Sequence, residues 1–297
     1  MQMTGRVCAA FAFATSLIGR RASAALADVS SSVAGDALSP LHAPEHGRIP
    51  VAFLISRGAV VIDFAGPWEV FHQVMYPQTM QGRFHTYTVA ETAAPIRVSG
   101  GMQIVPDYSL ADAPSPKVLA IPAQMGNSPA TLRWIREVTK RADVTMSVCT
   151  GAFLLAETGL LNGRAATTHH GAYRELQVRY PQVRVERGFV EDGNIASSGG
   201  LSCGIDLSLR VVARYFGNET AEQTAYNLEY QGQGWRDARL NAVYAQAAVS
   251  MPEHPLCPVC DMDVDKRLTS RYKGTRYYFC GEDHKELFDS ARDKYIS

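Results

Sequence analysis

At 297 residues the chain is about twice the size of a common domain, and 46% hydrophobic with 20% charged residues is enough to bury a core. That balance excludes a disordered, collagen-like or multi-span membrane protein, and six cysteines are too few for a disulfide scaffold. Basic and acidic side chains both number 29, and the balance holds locally: 17 of each in residues 49–250, eight basic and nine acidic in 251–297. No block is basic, so no nucleic-acid partner is expected, and a neutral core of about 200 residues suits a small uncharged substrate.

The first acidic residue is Asp28. Before it come Arg6, an apolar run from Val7 to Ile18, Gly19-Arg20-Arg21 and the small-residue stretch Ala22–Ala27. Residues 1–27 therefore read as a secretory signal, which predicts export, for example to a periplasm. The apolar run is too short to span a bilayer. The two arginines before the cleavage-like Ala25-Leu26-Ala27 fit a signal poorly, which leaves a cytoplasmic protein with an N-terminal extension as the alternative. Residues 28–48, rich in Ser, Ala, Pro and His, read as a linker.

From Ile49 short apolar strands alternate with helical stretches, the pattern of a parallel sheet covered by helices. Val51–Ile55, Phe84–Ala90, Val118–Ile121 and Val144–Val148 read as strands, and Val60–Ile62 as a short one. Pro67 is expected to open a helix that runs to Met75, and Pro129 one that runs to Arg141. Further helices are expected from Ile205 to Phe216, from Glu219 to Tyr230 and over 232–250, whose stretch Leu240–Val249 is alanine-rich. Domain limits follow at 49–231 for the α/β domain and 232–255 for a helix and linker.

Cys149 stands between the strand Val144–Val148 and a helix beginning near Gly151, on a sharp turn at the carboxyl edge of the sheet. A helix N-terminus aimed at the sulfur should favour thiolate, Gly151 leaves room for the backbone, and the Thr150 N–H can bind a developing anion. The other reading of Cys149 is plain apolar packing. A thiolate needs a proton partner. Asp63, in the apolar setting Val60–Gly66, should have a raised pKa. Glu69 is its rival or a partner of a helix N-terminus, and His169, before His170, is a supporting candidate or a structural hydrogen-bonder. Cys203 reads as packing, and Gly199, Gly200 and Gly204 as close backbone approach at a strand-to-helix turn.

The segments SVCTGAFLLAETGLLNGRAATTHH, VIDFAGPWEVF, VEDGNIASSGGLSCGIDLSL and NLEY resemble the ThiJ/PfpI superfamily, and within it the isocyanide (isonitrile) hydratases, over residues 49–231. The resemblance implies an α/β, flavodoxin-like three-layer sandwich related to class I glutamine amidotransferases, usually a homodimer. It implies a cofactor-free lyase that adds water to an isocyanide and gives an N-formamide. Carried over, Cys149 is the nucleophile, and Asp63 and Thr150 orient water and move protons. Relatives commonly have Pro-Gly-Gly where this chain has Pro122-Ala123-Gln124-Met125-Gly126, so a backbone donor near Gln124 would come from a residue that tolerates positive φ poorly. Thr150 stands where the peptidase branch has a histidine, which weighs against peptidase chemistry.

After Met251–Pro255, Cys257-Pro-Val-Cys260 is followed by Cys280 and, after three intervening residues, His284. Thiolates and an imidazole at such spacings can hold one metal ion, which a module of about 40 residues needs for want of a core. The alternative is a Cys257–Cys260 disulfide. Tyr272–Phe279 reads as a hairpin turning at Lys273-Gly274, and 282–295 as a helix with Leu287 and Phe288 inward. The stretch CPVCDMDV…YKGTRYYFCGEDHKELF resembles the YHS family of small metal-associated domains over 256–297. That resemblance favours Cys260, Cys280 and His284 over Cys257 as ligands, with zinc or copper as the metal. Two further functional readings stay open: a redox or ligand sensor, weakened because no basic helix-turn-helix follows the core, and a metal-handling protein.

Overall fold

The structure, a computed structural model, describes residues 40–75, 81–237 and 249–296. The expected signal segment, most of the linker after it and residues 238–248 of the helix expected over 232–250 lie outside the described residues, and the described 232–237 form a turn rather than helix.

The chain enters the sheet at β1 (Ile49–Leu54), turns back at Gly58, whose φ is 75°, and forms α1 (Val61–Gln73). Next come β2 (Phe84–Ala90), the short strands β3 (Ile96–Arg97), β4 (Gln103–Ile104) and β5 (Tyr108–Ser109), then β6 (Val118–Ile121) and α2 (Pro129–Thr139). β7 (Val144–Val148), α3 (Gly151–Glu157), β8 (Ala165–Ala166), α4 (Tyr173–Arg179) and β9 (Arg184–Val185) follow. β10 (Val190–Asp192), β11 (Ile195–Ser198), α5 (Cys203–Phe216) and α6 (Asn218–Asn227) complete the α/β part.

Seven of these strands form one sheet in the order β10-β11-β7-β6-β1-β2-β5, parallel except for β10 at its edge. The sequence shows why. In β1, Ile49, Val51 and Phe53 enter one core and Ala52 and Leu54 the other, so both faces of the strand must be covered. Phe64, Val70 and Phe71 of α1, Leu207 and Val211 of α5, and Ala221 and Ala225 of α6 cover the first face. Ile135 and Val138 of α2, Leu154 and Leu155 of α3, and Leu176 of α4 cover the second. The result is a flavodoxin-like three-layer sandwich. Strand order reverses between β1 and β6, and the crevice at such a point is where open sheets place their sites.

One expected boundary is corrected. Val60–Ile62 is not a strand, and Pro67 does not open a helix; α1 begins at Val61, and Pro67 lies buried inside it. The helix starts early because the Val60 N–H is anchored on the Ala123 carbonyl at 2.9 Å, which aims the chain across the sheet edge and drops Phe64 into the core. A proline inside the helix removes one i→i−4 bond, and its buried ring becomes part of the packing of α1.

The C-terminal part has its own core of Cys257, Val259, Cys260, Phe279, Phe288 and Tyr295. It consists of a cysteine knuckle, a hairpin of β12 (Asp265–Tyr272) and β13 (Thr275–Phe279), and α7 (Glu282–Ser290). The hairpin turns on Lys273 and Gly274, both at positive φ, a pair suited to strand twist. The expected helix over 282–295 ends at Ser290 and continues after Ala291 as one 3₁₀ turn, Arg292–Tyr295. No helix of the described residues is long and apolar enough to cross a membrane.

Candidate functional site

Cys149 follows a strand whose five residues are all buried, and its backbone takes φ 59°, a left-handed conformation that costs a non-glycine residue about 1–2 kcal/mol. Its neighbours hold it there. The Cys149 N–H donates to the carbonyls of Ser198 and Gly199 at 3.2 and 3.0 Å, and the Thr168 hydroxyl donates to the Cys149 carbonyl at 3.0 Å. Gly151 is required one step on, since a Cβ there would lie 2.2 Å from the Ile121 carbonyl oxygen. Only a residue without a side chain lets α3 begin against the end of β6.

Asp63, 1% exposed, reaches the same point from the first turn of α1. Its Oδ2 accepts from the Ala123 N–H at 3.1 Å, and its Oδ1 accepts from the Leu201 N–H at 3.2 Å. Burial pushes its pKa up to about 6, against the pull of these two amides and of the Cys149 thiol. The result is a carboxyl group that can give or take a proton near neutrality, as its apolar sequence setting implies.

The thiol behaves differently from the sequence expectation. Burial, and after it the charge of Asp63, push Cys149 up to about 12, outweighing the lowering by the N–H groups of Thr150 and Leu201. A favoured thiolate is therefore corrected to a resting thiol that shares its proton with Asp63. A helix of seven residues supplies too little positive potential to offset a buried carboxylate beside the sulfur. Thr150 still points its amide at the sulfur and caps α3 without a side-chain bond.

The supporting candidates separate. Glu69 is exposed on α1, more than a turn beyond its first residues, so it is neither a partner of the helix N-terminus nor joined to the cysteine site. Gln124 donates from Nε2 to the Leu54 carbonyl at 3.0 Å, leaving its buried Oε1 without a protein partner. None of Pro122–Gly126 adopts positive φ, so the strain expected around Gln124 is absent, and the nearby Ala123 amide is already spent on Asp63. His169 borders the site. Its Nδ1 accepts from the Gly171 N–H at 3.1 Å, its ring lies against Gly200, and burial, then His170, lowers its pKa.

Leu201 is the participant that sequence reasoning missed. Its φ of 58° turns its amide toward both Asp63 and the Cys149 sulfur. The available sign was the pair Gly199-Gly200 between a strand and a helix, which announced a tight turn but not its donor. Cys203 lies at the start of α5 with its Sγ against Gly199, as packing requires.

In the C-terminal part the four candidate metal ligands converge. The ligating atoms of Cys257, Cys260, Cys280 and His284 lie within 4.8 Å of one another. Cys260 and Cys280 Sγ are 3.5 Å apart, and His284 Nδ1 lies 3.0 Å from Cys280 Sγ and 3.8 Å from Cys257 Sγ. Ligands at about 2.0–2.3 Å from a tetrahedral zinc stand roughly 3.3–3.8 Å apart, so small adjustments would let the four, Cys257 included, close on one ion. The knuckle is preformed by Cys257 N–H on the Met262 carbonyl at 2.9 Å and Asp261 N–H on the Cys257 carbonyl at 2.8 Å. All described cysteines are free thiols, so the Cys257–Cys260 disulfide is not formed.

A parallel sheet, a cysteine on a strained strand-to-helix elbow and a buried carboxyl beside it define a class of α/β proteins with a nucleophile-type cysteine. The chain belongs to the DJ-1/PfpI family, which matches residues 50–214, and residues 257–297 match the YHS domain. It is 31% identical over 187 residues to an isonitrile hydratase of Pseudomonas putida, covering 61% of this chain and 78% of that one. It is 30% identical over 183 residues to the HTH-type transcriptional regulator CdhR of Pseudomonas aeruginosa, covering 58% of this chain and only 52% of that protein. Among solved structures, a ThiJ/PfpI family protein from Pseudomonas syringae superposes with TM-score 0.57 and 27% identity over 64% of this chain and 78% of that one. Drosophila melanogaster DJ-1beta shares the fold with TM-score 0.52 at 18% identity, covering 62% of this chain and all of its own chain.

Proposed function

We propose that the α/β domain is a lyase that hydrates a small uncharged isocyanide, R–N≡C, to the N-formamide, with Cys149 as nucleophile. The observation that carries this reading is the Cys149 thiol paired with a buried carboxyl whose pKa is about 6. As sulfur bonds to the terminal carbon, Asp63 takes the thiol proton and returns it to that carbon, giving the thioimidate R–N=CH–S–Cys149. Asp63 then takes a proton from water as the oxygen adds to the same carbon and passes that proton to the nitrogen, giving R–NH–CH(OH)–S–Cys149, whose hydroxyl proton Asp63 carries to the departing sulfur. The C–S bond breaks, the thiol is restored and R–NH–CHO leaves. The amides of Thr150 and Leu201 steady the charge on sulfur while it forms and departs. Similarity to an isonitrile hydratase supports the substrate class.

The test is intact-mass analysis of Asp63→Asn after exposure to an aryl isocyanide. Lacking the base that takes the thiol proton, it should carry no adduct, whereas the wild type quenched during turnover should carry one substrate mass on Cys149. An unmodified thiol in both the variant and the wild type would refute the covalent route.

A ligand sensor is the second reading, favoured by the similarity to CdhR. Peroxide sensing finds little support, because an oxidisable sensor needs a low thiol pKa and Cys149 has a raised one. In the tail, Cys257, Cys260, Cys280 and His284 would hold zinc or copper, with structural closure as the chemistry supplied. We also propose a homodimer and export of the chain, for which light scattering and N-terminal sequencing of the native protein are the tests.

A further inference from the structure

We infer that Glu175, on a helix of the α/β domain, closes the metal centre of the tail by holding the outward nitrogen of its histidine ligand. The inference rests on the metal reading of the four ligands and is independent of the hydratase reading.

His284 turns Nδ1 toward the sulfurs of Cys257 and Cys280, which leaves Nε2 facing away from them. The Oε2 of Glu175 stands 3.9 Å from that Nε2, with both side chains largely buried. The other oxygen of Glu175, Oε1, accepts from Arg179 one helical turn on at 2.8 Å, so the carboxylate is fixed with its free oxygen toward the imidazole. A shift of about 1 Å turns this ion-pair contact into a hydrogen bond of ordinary length.

The same helix seats the rest of the centre. Arg174 Nη1 donates to the Pro258 carbonyl at 2.8 Å and to the Tyr295 carbonyl at 3.0 Å, and Nη2 lies 4.0 Å from Asp261. Pro258 lies between two of the ligands, so this bond holds the knuckle itself. Val178, one turn beyond Arg174, packs against the core that contains Cys257 and Cys260. Positions 174, 175 and 178 form one helical face directed at the metal module.

A carboxylate on the second nitrogen of a ligating imidazole fixes the ring and raises its basicity, and its loss typically weakens metal binding about 10–100-fold. Here that partner comes from outside the YHS domain. The tail's metal affinity therefore depends on its docking to α4, and by reciprocity a bound ion strengthens the docking.

The experiment measures zinc affinity of the full chain by competition with a chromophoric chelator, for wild type, Glu175→Ala, Glu175→Gln and Cys280→Ala. Cobalt(II) spectra and melting of the metal-free proteins accompany it. Glu175→Ala should weaken zinc about 10-fold or more and shift the cobalt ligand-field bands, with metal-free melting unchanged. Glu175→Gln, which keeps an acceptor oxygen but no charge, should fall in between and serves alone if the alanine variant does not fold. Zinc affinity within twofold of wild type and superimposable cobalt spectra in the Glu175 variants would overturn the inference. Unchanged metal content in Cys280→Ala would instead sink the metal reading beneath it.

Discussion

Asp63→Asn removes a carboxyl group whose folded pKa of about 6 lies about two units above its ordinary value of 3.8. A group with a raised folded pKa stabilises the fold at pH below its unfolded value, and that contribution is lost as pH rises through the folded value. At 1.36 kcal/mol per unit the loss amounts to about 3 kcal/mol, accumulating between roughly pH 4 and pH 6 and complete by pH 8. Asparagine does not titrate, so the variant lacks this loss, although its amide group meets two N–H donors with one acceptor oxygen and costs about 1–3 kcal/mol at every pH. The sign of ΔΔG at one pH is thus uninformative, and its change with pH is the readout. Urea denaturation of wild type and Asp63→Asn from pH 3.5 to 8 should show the difference shifting toward the variant by about 3 kcal/mol. A difference flat within about 0.5 kcal/mol across that range would refute a buried carboxyl poised near neutrality.

Other outcomes follow from the same geometry. Gly151→Ala places a Cβ 2.2 Å from the Ile121 carbonyl, so it should lose at least about 1–3 kcal/mol by overpacking and displace Cys149; a wild-type denaturation midpoint would contradict this. Leu201→Gly relieves a left-handed residue that is 46% exposed, so thermal melting should be unchanged or improved by up to about 1 kcal/mol, and a clear loss would show that the side chain matters more than the turn. Chelation should raise amide exchange across residues 257–296 and along α4, where Arg174 holds the knuckle, while β1 and β7 keep their protection; uniform exchange in both states would contradict a metal-braced tail.

Most of the sheet was legible because fully buried parallel strands declare themselves. Val118–Ile121 is an unbroken apolar run, while Phe84–Ala90 and Val144–Val148 interleave apolar residues with His, Thr and Ser, and both patterns read as strand without tertiary help. The start of α1 was hidden, since Val60-Val61-Ile62 has strand composition and Pro67 has the look of a first-turn residue. What decides is a bond from Val60 to Ala123, far along the chain, and local propensity contains no trace of it.

The site divides the same way. Cys149 and Asp63 were legible from their settings, one on an elbow and the other among apolar residues. The direction of the cysteine's shift was not, because it depends on how close the carboxylate lies and how completely both groups are buried. Leu201 was invisible for a related reason: it acts through its backbone, and an amide direction belongs to a turn's φ rather than to a residue type. In the tail, Cys-x-x-Cys and Cys-x-x-x-His spacing announced the candidate metal ligands, whereas Glu175 lies more than a hundred residues away from His284 and only folding brings them together.

The central claim is that Cys149 does chemistry on an isocyanide. Its most direct test is formamide production from an aryl isocyanide by the purified full chain, wild type against Cys149→Ser. The account predicts multiple turnovers by the wild type and a loss of at least about 1000-fold in the serine variant, as expected when a nucleophile is removed. Comparable formamide production by both proteins would contradict it, and so would none by either.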